Sequence, residues 1–359
     1  MAHTKWRLVG LALAVGLVTA HARLGRTADT SALPGTTGQM PAAESGPVRP
    51  TSLADVVTRA ATLPRLRSLL ISVDGQLVEE RYFHGATAAR AANLKSASKS
   101  IIATLIGIAI DRGHVTSIDQ PIGRFFPEYL KGQPEKAAIT VEELLTMRAG
   151  LETTSNRNYG RWVSSANWVR HVLQRPFEDE PGGRMIYSTG SSHLLSAIVT
   201  RASGLSTLEF ARRYVASPLG ITIPAWTRDP QGIYLGGNEM HMRPRDLLKI
   251  GELYLNRGRA GDRQVVSEAW VRESSEPRTS SRWSGRSYGY GWWIRELADH
   301  DVVYAWGYGG QFAFVIPDLR AVVVTTSVSD PGSERRDHLD GIYDLVEETV
   351  IPAVETLRK

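Results

Sequence analysis

The sequence predicts an α/β (α+β) fold in which an antiparallel sheet formed by both chain ends is flanked by helices and carries an inserted helix-rich lobe. Strand patterns occur at residues 66–73 and 77–82 and then return only late, from residue 302 onward. The long middle of the chain has helical spacing of its apolar residues instead. Strands at both ends with helices between them are typical of one sheet built from the two termini. We therefore expect a cleft between a sheet lobe and a helical lobe.

The first residues have the three-part pattern of a secretory signal peptide. Residues 1–7 carry positive charge, residues 8–20 are apolar, and Ala20 and Ala22 form a small-x-small cleavage signature. Because the apolar run is well short of the roughly 20 residues that cross a bilayer, we expect no stable membrane anchor. Cleavage after Ala22 predicts a secreted or periplasmic protein. Residues 23–50 are poor in large apolar side chains and are predicted to be a flexible leader.

Composition excludes several classes of function. The chain has 359 residues, of which 42% are hydrophobic, so residues 51–359 can bury the core of a globular domain. The absence of cysteine excludes disulfides, thiolate metal sites and a thiol nucleophile. Although the net charge is +5, the arginines are scattered without a basic run, which argues against nucleic-acid binding. No metal-ligand spacing occurs, so we expect neither a metal nor another cofactor.

Each element has a local signal. Asp74-Gly75 favours a tight hairpin turn between the first two strands, and residues 140–143 form a capping box that opens a helix ending near Gly150. The other helical patterns cover residues 53–63, 96 to about 113, 193–203, 206–216, 245–255 and 339–357, with an interruption at Pro352. The late strands are predicted at residues 302–306, 312–316 and 321–328.

Ser96-Ala97-Ser98-Lys99, directly ahead of an apolar run, sets a hydroxyl and an amine on one face of a helix's first turn. Residues at i and i+3 are neighbours on a helix, so the Lys99 amine is expected beside Ser96 Oγ, where it helps to take the hydroxyl proton. The free backbone N–H groups of this turn would face negative charge that develops near Ser96. The plain alternative is a surface Ser and Lys that cap a core helix.

Tyr187 is the second candidate. It follows a Pro-Gly-Gly turn and directly precedes a helical run. Beside Lys99 its phenol is expected to shift toward the phenolate and to accept the Ser96 proton, because a nearby positive charge favours the ionised form. The alternative is a partly buried tyrosine that is hydrogen-bonded to backbone.

The third candidate is the glycine-rich stretch from Trp306 to Gln311, which we place on a strand. Glycine weakens a strand unless a ligand or another backbone must come close. Such an approach would set a backbone N–H against a substrate carbonyl and complete an oxyanion hole with the N–H of Ser96. A β-bulge or a tight corner is the alternative.

In order and spacing, these three stretches resemble the motifs of the serine β-lactamase and penicillin-binding protein superfamily. The resemblance runs from about residue 66 to 328 and is strongest with the class C-like branch, which also holds family VIII carboxylesterases and 6-aminohexanoate-dimer hydrolases. Ser96 to Lys99 matches the SxxK motif, and residues 187–189 match YxN. Further similarity lies in LLTMRAGL at residues 144–151, YSTGSSHLL at 187–195 and the segment 236–258.

The resemblance implies a β-lactamase/transpeptidase-like fold, with a sheet lobe at about residues 51–95 and 287–359 and a helical lobe at about 96–286. It also implies that Ser96 is the acylated nucleophile and that Lys99 and Tyr187 share the general base and acid work. Lys99 would then have to lose its proton far below the free pKa of about 10.4. No cofactor is implied.

Two departures from the family motifs bear on the substrate. Thr189 replaces the usual Asn of YxN, and the third motif, usually KTG or HTG, lacks its Lys. We favour Tyr308-Gly309-Gly310 in the KTG place, with the Gln311 N–H as oxyanion donor; Trp306-Gly307-Tyr308 is the other register. In either register a substrate carboxylate would lack its cation and be buried unpaired.

The leading hypothesis is a secreted, cofactor-free serine hydrolase that acts on small-molecule carboxylic esters or small linear amides. The second is a β-lactamase or D-alanyl-D-alanine carboxypeptidase that finds its carboxylate partner elsewhere. The third is a non-catalytic member that binds peptidoglycan fragments or a protein. Candidates to line an acyl-binding cleft, with core packing as the alternative, are the aromatic residues Tyr159, Trp162, Trp168, Trp283, Tyr288, Tyr290, Trp292 and Trp293.

Overall fold

The computed structural model describes residues 52–332 and 334–359. The predicted signal peptide, its cleavage after Ala22 and the predicted leader at residues 23–50 lie outside the described residues. Within the described ranges, no helix combines the length and the apolar character that a bilayer crossing needs.

One large antiparallel sheet organises the fold. The strands are, in chain order, β1 (Leu66–Val73), β2 (Gln76–Tyr82), β3 (Ala92–Asn93), β4 (His241–Met242), β5 (Arg259–Ala260), β6 (Arg263–Gln264), β7 (Thr279–Ser280), β8 (Ser287–Tyr288), β9 (Trp293–Leu297), β10 (His300–Gly307), β11 (Gln311–Ile316) and β12 (Ala321–Ser327). Eight of these strands pair in the order β2-β1-β12-β11-β10-β9-β8-β7, and each neighbouring pair is antiparallel. The prediction of a sheet formed by both chain ends is therefore confirmed.

The central strands are rich in apolar residues and buried along nearly their whole length because both faces of the sheet are covered. Every residue of β11 and β12 is buried, and β1 has only Arg67 partly exposed. The register pairs Leu70 of β1 with Val324 of β12, across the joint between the two chain ends.

Helices pack on the sheet, and they also form most of the chain between the strands that come from its two ends. They are α1 (Leu53–Ala61), α2 (Ser98–Asp111), α3 (Pro127–Leu130), α4 (Pro134–Ala138), α5 (Val141–Leu145), α6 (Tyr159–Val163), α7 (Trp168–Leu173), α8 (Thr189–Ser203), α9 (Thr207–Ala211), α10 (Ser217–Leu219), α11 (Pro244–Leu255), α12 (Glu268–Ser274), α13 (Arg335–Leu345) and α14 (Ile351–Leu357). One core lies between the sheet and the helices of the middle segment, among them α2, α8 and α11. A second core lies between the other face of the sheet and the terminal helices α1, α13 and α14.

Several predicted bounds differ from the structure. The helix opened by the Thr140 capping box stops at Leu145, well before Gly150, because Met147 adopts a left-handed φ of 61° that no helix accommodates. The helix predicted over 206–216 continues beyond α9 as a π-helical turn, Arg212–Ala216. The interruption at Pro352 is a second π-helical turn, Val346–Val350, which precedes the proline because that residue has no N–H for the helix ladder.

The sheet also extends further than predicted. Strands β7, β8 and β9 precede residue 302, and β7 lies within the segment assigned to the helical lobe. β7 and β8 have two residues each, which is too short to show the alternation by which strands are recognised. Their position matters because β8 and β9 bring aromatic side chains to the site described below.

Candidate active site

A short irregular segment presents Ser96 between the sheet and the helices. After β3 the chain turns at Lys95, whose φ of 50° is left-handed, and residues Lys95–Ala97 form a 3-10 turn ahead of α2. The Asn93 side chain accepts a hydrogen bond from the Lys95 N–H at 3.0 Å, and the Ser98 hydroxyl donates to the Lys95 carbonyl at 2.7 Å. Ser96 therefore stands just outside the α-helix rather than in its first turn, and its side chain is half-buried.

Lys99 lies below this turn and is only 3% exposed. Its Nζ donates to Ser96 Oγ at 3.1 Å, to Thr189 Oγ1 at 3.3 Å and to the Gly237 carbonyl oxygen at 2.7 Å. These three acceptors use all the donors of an ammonium group without any carboxylate. Because burial penalises the charged form, the pKa of Lys99 falls to about 7. A neutral amine is thus accessible at neutral pH, within hydrogen-bonding distance of the nucleophile candidate.

Tyr187 completes the cluster from the segment that precedes α8. The Ser96 hydroxyl lies close enough to its phenol to act on the pKa of that phenol, and Lys99 Nζ lies 5.1 Å from the centre of its ring. Burial raises the pKa of Tyr187 to about 12, although the nearby Ser96 hydroxyl opposes this rise. The prediction that Tyr187 shifts toward the phenolate is therefore wrong. Lys99 is buried, and it loses its own charge more readily than it stabilises a charged Tyr187. At neutral pH the Tyr187 side chain is therefore a neutral phenol.

Thr189 holds Lys99 where the family motif has an amide. Its hydroxyl accepts from Lys99 Nζ and is hydrogen-bonded to Ser155 Oγ at 3.0 Å. The Thr189 N–H donates to the same Ser155 oxygen at 2.8 Å. The replacement of Asn by Thr therefore keeps the contact to the lysine.

Gly237 is a site residue that the sequence reasoning missed. Its φ is 92°, and an added Cβ would lie 2.6 Å from Lys99 Cγ and 3.1 Å from Lys99 Nζ. The backbone must come this close for its carbonyl to accept the lysine proton, so glycine is required here. The Gly-Gly pair at residues 236–237 is the signal that could have identified it.

The stretch from Trp306 to Gln311 lies beside the Ser96 turn, but only part of it is strand. Trp306 and Gly307 end β10, residues 308–310 form the turn, and Gln311 begins β11. A Cβ on Gly307 would overlap the Leu94 carbonyl oxygen, so this glycine lets the Ser96 turn pack directly on β10. The close approach occurs at Gly307, which favours the 306–308 register for the third motif.

The favoured register, with the Gln311 N–H as oxyanion donor, stays a prediction, because the hydrogen bonds known for Gln311 are those of its side chain. Gln311 is buried in an inner strand, where its side chain donates to the Ser327 carbonyl at 2.7 Å and accepts from the Ser327 N–H at 3.2 Å. Gly309 and Gly310 turn toward the end of β12, close to residues 327–329. Tyr308 is 39% exposed and remains at the rim of the site.

Aromatic rings form one wall of the site. Tyr187 stacks on Trp293 with 5.9 Å between ring centres, and Trp293 meets Trp306 edge-on at 5.3 Å. Tyr288 packs against both Tyr187 and Trp293. Of the predicted cleft residues, those with buried side chains are Trp162, Trp168, Tyr288, Tyr290, Trp292 and Trp293, whereas Trp283 is 99% exposed. Tyr159 is half-buried, and its hydroxyl accepts a hydrogen bond from Asn238 Nδ2 at 2.9 Å.

Among residues 52–332 and 334–359, no three His, Asp or Glu side chains converge as a metal site would require. The chemistry that the described groups can supply is that of a hydroxyl nucleophile, a buried amine and a neutral phenol. Together with backbone N–H groups at the start of α2, this set suits acyl transfer.

Comparison with known proteins gives consistent relatives. A family model described as Beta-lactamase matches residues 67–347. The 6-aminohexanoate-dimer hydrolase of Paenarthrobacter ureafaciens is 27% identical over an alignment of 261 residues, and the match covers 65% of this chain and 65% of that protein. The chain therefore matches less than two thirds of this relative's length.

Solved structures share the fold. A putative 6-aminohexanoate-dimer hydrolase from Bacillus anthracis has a TM-score of 0.68 at 18% identity, covering 83% of this chain and 82% of its own. The hydrolase EstCE1, described as having promiscuous acyltransferase activity, has a TM-score of 0.65 at 18% identity, covering 81% of this chain and 100% of its own. At these identities the likeness concerns the fold.

Proposed function

The chain belongs to the beta-lactamase family, and from that premise we propose that it is a serine hydrolase that forms an acyl-enzyme on Ser96. The observation that supports this most directly is the 3.1 Å contact between Lys99 Nζ and Ser96 Oγ, made by a lysine whose pKa lies at about 7. A neutral amine in hydrogen-bonding reach of a hydroxyl is the base that nucleophilic catalysis needs.

In the acylation step, Ser96 Oγ attacks the substrate carbonyl carbon while its proton moves to Lys99 Nζ. The carbonyl oxygen takes the negative charge and faces the backbone N–H of Ser96. Lys99 then returns the proton through the Tyr187 phenol to the leaving alcohol or amine, whose bond to the acyl carbon breaks. In the second step water attacks the acyl carbon of the Ser96 ester and gives a proton to Lys99 Nζ. Lys99 passes this proton to Ser96 Oγ as the ester bond breaks, which releases the carboxylic acid and restores the Ser96 hydroxyl.

The proposed substrates are carboxylic esters or small linear amides. Three of the relatives named above support linear esters or amides, rather than a cyclic lactam, as the substrates. Two of them are described as 6-aminohexanoate-dimer hydrolases, and the third is the hydrolase EstCE1. The family model's description supports β-lactam hydrolysis, or D-alanyl-D-alanine carboxypeptidase activity, as the second candidate. A non-catalytic role in binding peptidoglycan or protein is the third.

Ester and β-lactam turnover separate these candidates. We expect wild type to hydrolyse 4-nitrophenyl butyrate faster than nitrocefin, and Ser96→Ala to lose roughly 10⁴-fold or more of kcat. A fluorophosphonate probe followed by peptide mass spectrometry should place the adduct on Ser96. Faster nitrocefin cleavage would reverse the order of the first two candidates, and the absence of both turnover and adduct would leave the binding role.

We also propose that the protein is secreted or periplasmic, from the pattern of residues 1–22. Mass spectrometry of the protein from the cell envelope or medium should give Arg23 as its first residue. An intact Met1 on that protein would refute cleavage.

A further inference from the structure

A histidine and an aspartate are buried together behind the lysine site. The side chains of His193, in α8, and Asp229 are fully buried, and His193 Nε2 lies 3.2 Å from Asp229 Oδ2. The rings of Trp162 and Trp168 meet the imidazole edge-on, with 5.7 and 5.5 Å between ring centres. Taking such polar groups out of water costs free energy, which apolar side chains of similar volume would avoid. Packing alone therefore does not account for this pair.

The other imidazole nitrogen faces the backbone next to Gly237. His193 Nδ1 accepts a hydrogen bond from the Gly236 N–H at 3.4 Å. Because a backbone N–H can only donate, Nδ1 must carry the lone pair and Nε2 must carry the proton, which it donates to Asp229 Oδ2. The imidazole is therefore neutral and held in one tautomer.

The carboxylate of Asp229 binds the segment 229–237 as well as the histidine. Its Oδ1 accepts from the backbone N–H of Gln231 at 2.9 Å and from that of Ile233 at 2.8 Å. Its Oδ2 accepts from His193. One carboxylate thus ties the conformation of this segment to the position of the α8 histidine.

Gly236 passes this constraint on to the lysine. A Cβ on Gly236 would lie 2.1 Å from the Ser192 carbonyl oxygen, so the backbone here packs directly on α8. The next residue, Gly237, offers its carbonyl to Lys99 Nζ at 2.7 Å. Two adjacent glycines have wide conformational freedom. The hydrogen bond from the Gly236 N–H to His193 restricts that freedom one residue before the carbonyl that the lysine uses.

We propose that His193 and Asp229 are positioning residues that direct the Gly237 carbonyl toward the lysine amine. This carbonyl in turn holds Lys99 Nζ in reach of Ser96 Oγ. The catalytic consequence rests on the proposed function, whereas the effect on the lysine can be measured without turnover. A reacting group that is misplaced by about 1 Å can lose about 100-fold in rate, so a constraint this far from the substrate can still act on kcat.

Two substitutions of His193 separate the two sides of the ring. His193→Asn retains an acceptor near the Nδ1 position, and His193→Gln retains a donor near the Nε2 position. We expect His193→Gln to lower kcat on 4-nitrophenyl butyrate by about tenfold or more, with KM changed by less than about twofold. His193→Asn should keep more of kcat than His193→Gln. A merely structural role gives the opposite order, because only glutamine leaves Asp229 paired.

The pKa of Lys99 is the readout that needs no turnover. The chain has only seven lysines, so NMR of protein labelled with [13Cε]lysine can follow each titration, and Lys99→Met assigns the signal. A carbonyl acceptor favours the charged amine, so we expect the Lys99 pKa in His193→Gln to lie about 0.5 or more below that of wild type. Ser196→Ala is the matched control, since it removes another hydrogen bond from α8 to this segment, to the Tyr234 carbonyl at 2.7 Å. It should leave the Lys99 pKa unchanged.

The inference is overturned if His193→Gln equals wild type in kcat, if it exceeds His193→Asn, or if its Lys99 pKa matches that of Ser196→Ala. Should the histidine variants not fold, Asp229→Asn decides. Its amide group would face the Nε2 proton and drive that proton to Nδ1, which then opposes the Gly236 N–H. The same falls in kcat and in the Lys99 pKa support the inference, and wild-type values of both refute it. Absence of ester turnover in wild type would count against the proposed function, and the Lys99 pKa would still decide the positioning role.

Discussion

The Nζ of Lys99 donates to the carbonyl oxygen of Gly237 at 2.7 Å, the shortest of its three hydrogen bonds. A backbone acceptor cannot rotate away as a side chain can, so this bond fixes the direction from which the amine approaches Ser96. It also supplies no negative charge, which leaves desolvation free to lower the lysine pKa.

Gly237→Ala is expected to reduce kcat/KM by about 100-fold or more, because the new Cβ would displace Lys99 from Ser96. Gly232→Ala is the matched control: its φ of 86° imposes similar backbone strain, but no atom lies within 4 Å of the added Cβ. Thermal melts should show a loss of stability of about 1 kcal/mol from backbone strain in Gly232→Ala and a larger loss in Gly237→Ala, whose Cβ also overlaps Lys99. Equal activity of the two variants would contradict the role given to Gly237.

The pH dependence of kcat/KM should report the lysine. Only the neutral amine accepts the Ser96 proton, so kcat/KM is expected to rise about tenfold per pH unit below a midpoint of about 7 and to level off above it. The Tyr187 phenol, with a pKa of about 12, stays protonated throughout and adds no second limb. Steady-state rates on a neutral ester from pH 5 to 9 test this, and a midpoint near 10 would refute it.

Stability should carry the same signature. The pKa of Lys99 is about 7 in the folded chain against 10.5 unfolded, so between these values the unfolded state binds more protons and stability rises with pH. Relative to Lys99→Met, the free energy of unfolding of wild type is expected to gain on the order of 3 kcal/mol from pH 7 to 10. Urea titrations of both proteins at the two pH values measure the difference. A difference that does not vary with pH would mean that Lys99 is not buried as a neutral group.

Thr189→Val removes the hydroxyl that accepts from Lys99 while keeping the shape of the side chain. We expect about a tenfold loss of kcat and a shift of the pH midpoint, since the lysine loses one of its acceptors. Thr189→Ser retains the oxygen and should keep most of the activity. If valine performs as well as serine, the Thr189 hydroxyl does not position the amine.

Gly307→Ala tests the packing of the Ser96 turn on β10. The added methyl would overlap the Leu94 carbonyl oxygen, and we expect a loss of about 1–3 kcal/mol of stability together with reduced acylation. Gly160→Ala adds a methyl into open space and serves as control. Chemical denaturation and labelling of Ser96 by the fluorophosphonate probe give the two readouts. Unchanged labelling in Gly307→Ala would show that the turn does not depend on this contact.

The fold and the nucleophile cluster follow from patterns that the chain carries locally. The apolar run after Lys99 and the late strands specify α2, β11 and β12, and motif spacing brings Tyr187 to Ser96. The Gly237 carbonyl could not be predicted as a partner of Lys99, because every residue has a carbonyl. Only the backbone conformation of this glycine brings its carbonyl to Lys99. The register of the third motif could not be decided from the sequence, because a three-residue turn between β10 and β11 leaves no alternation to count.

The start of α8 illustrates a different limit. The helix was expected from residue 193 but begins at Thr189. Its first N–H groups are capped from a distant segment, since Ser155 Oγ accepts from the Thr189 N–H and Thr154 Oγ1 accepts from the Gly190 N–H at 2.9 Å. A cap supplied by remote residues leaves no local signature, so residue patterns around the helix could not reveal it.

The pairing of β1 with β12 has a consequence for how the molecule is made. During translation, Ser96, Lys99 and Tyr187 are added to the chain long before residues 321–327, which pair with β1. The nascent chain thus holds every reacting group while the joint between its two ends is still missing. Contacts so far apart along the polypeptide close slowly, and truncation ahead of β12 would dismantle the centre of the sheet rather than trim its edge.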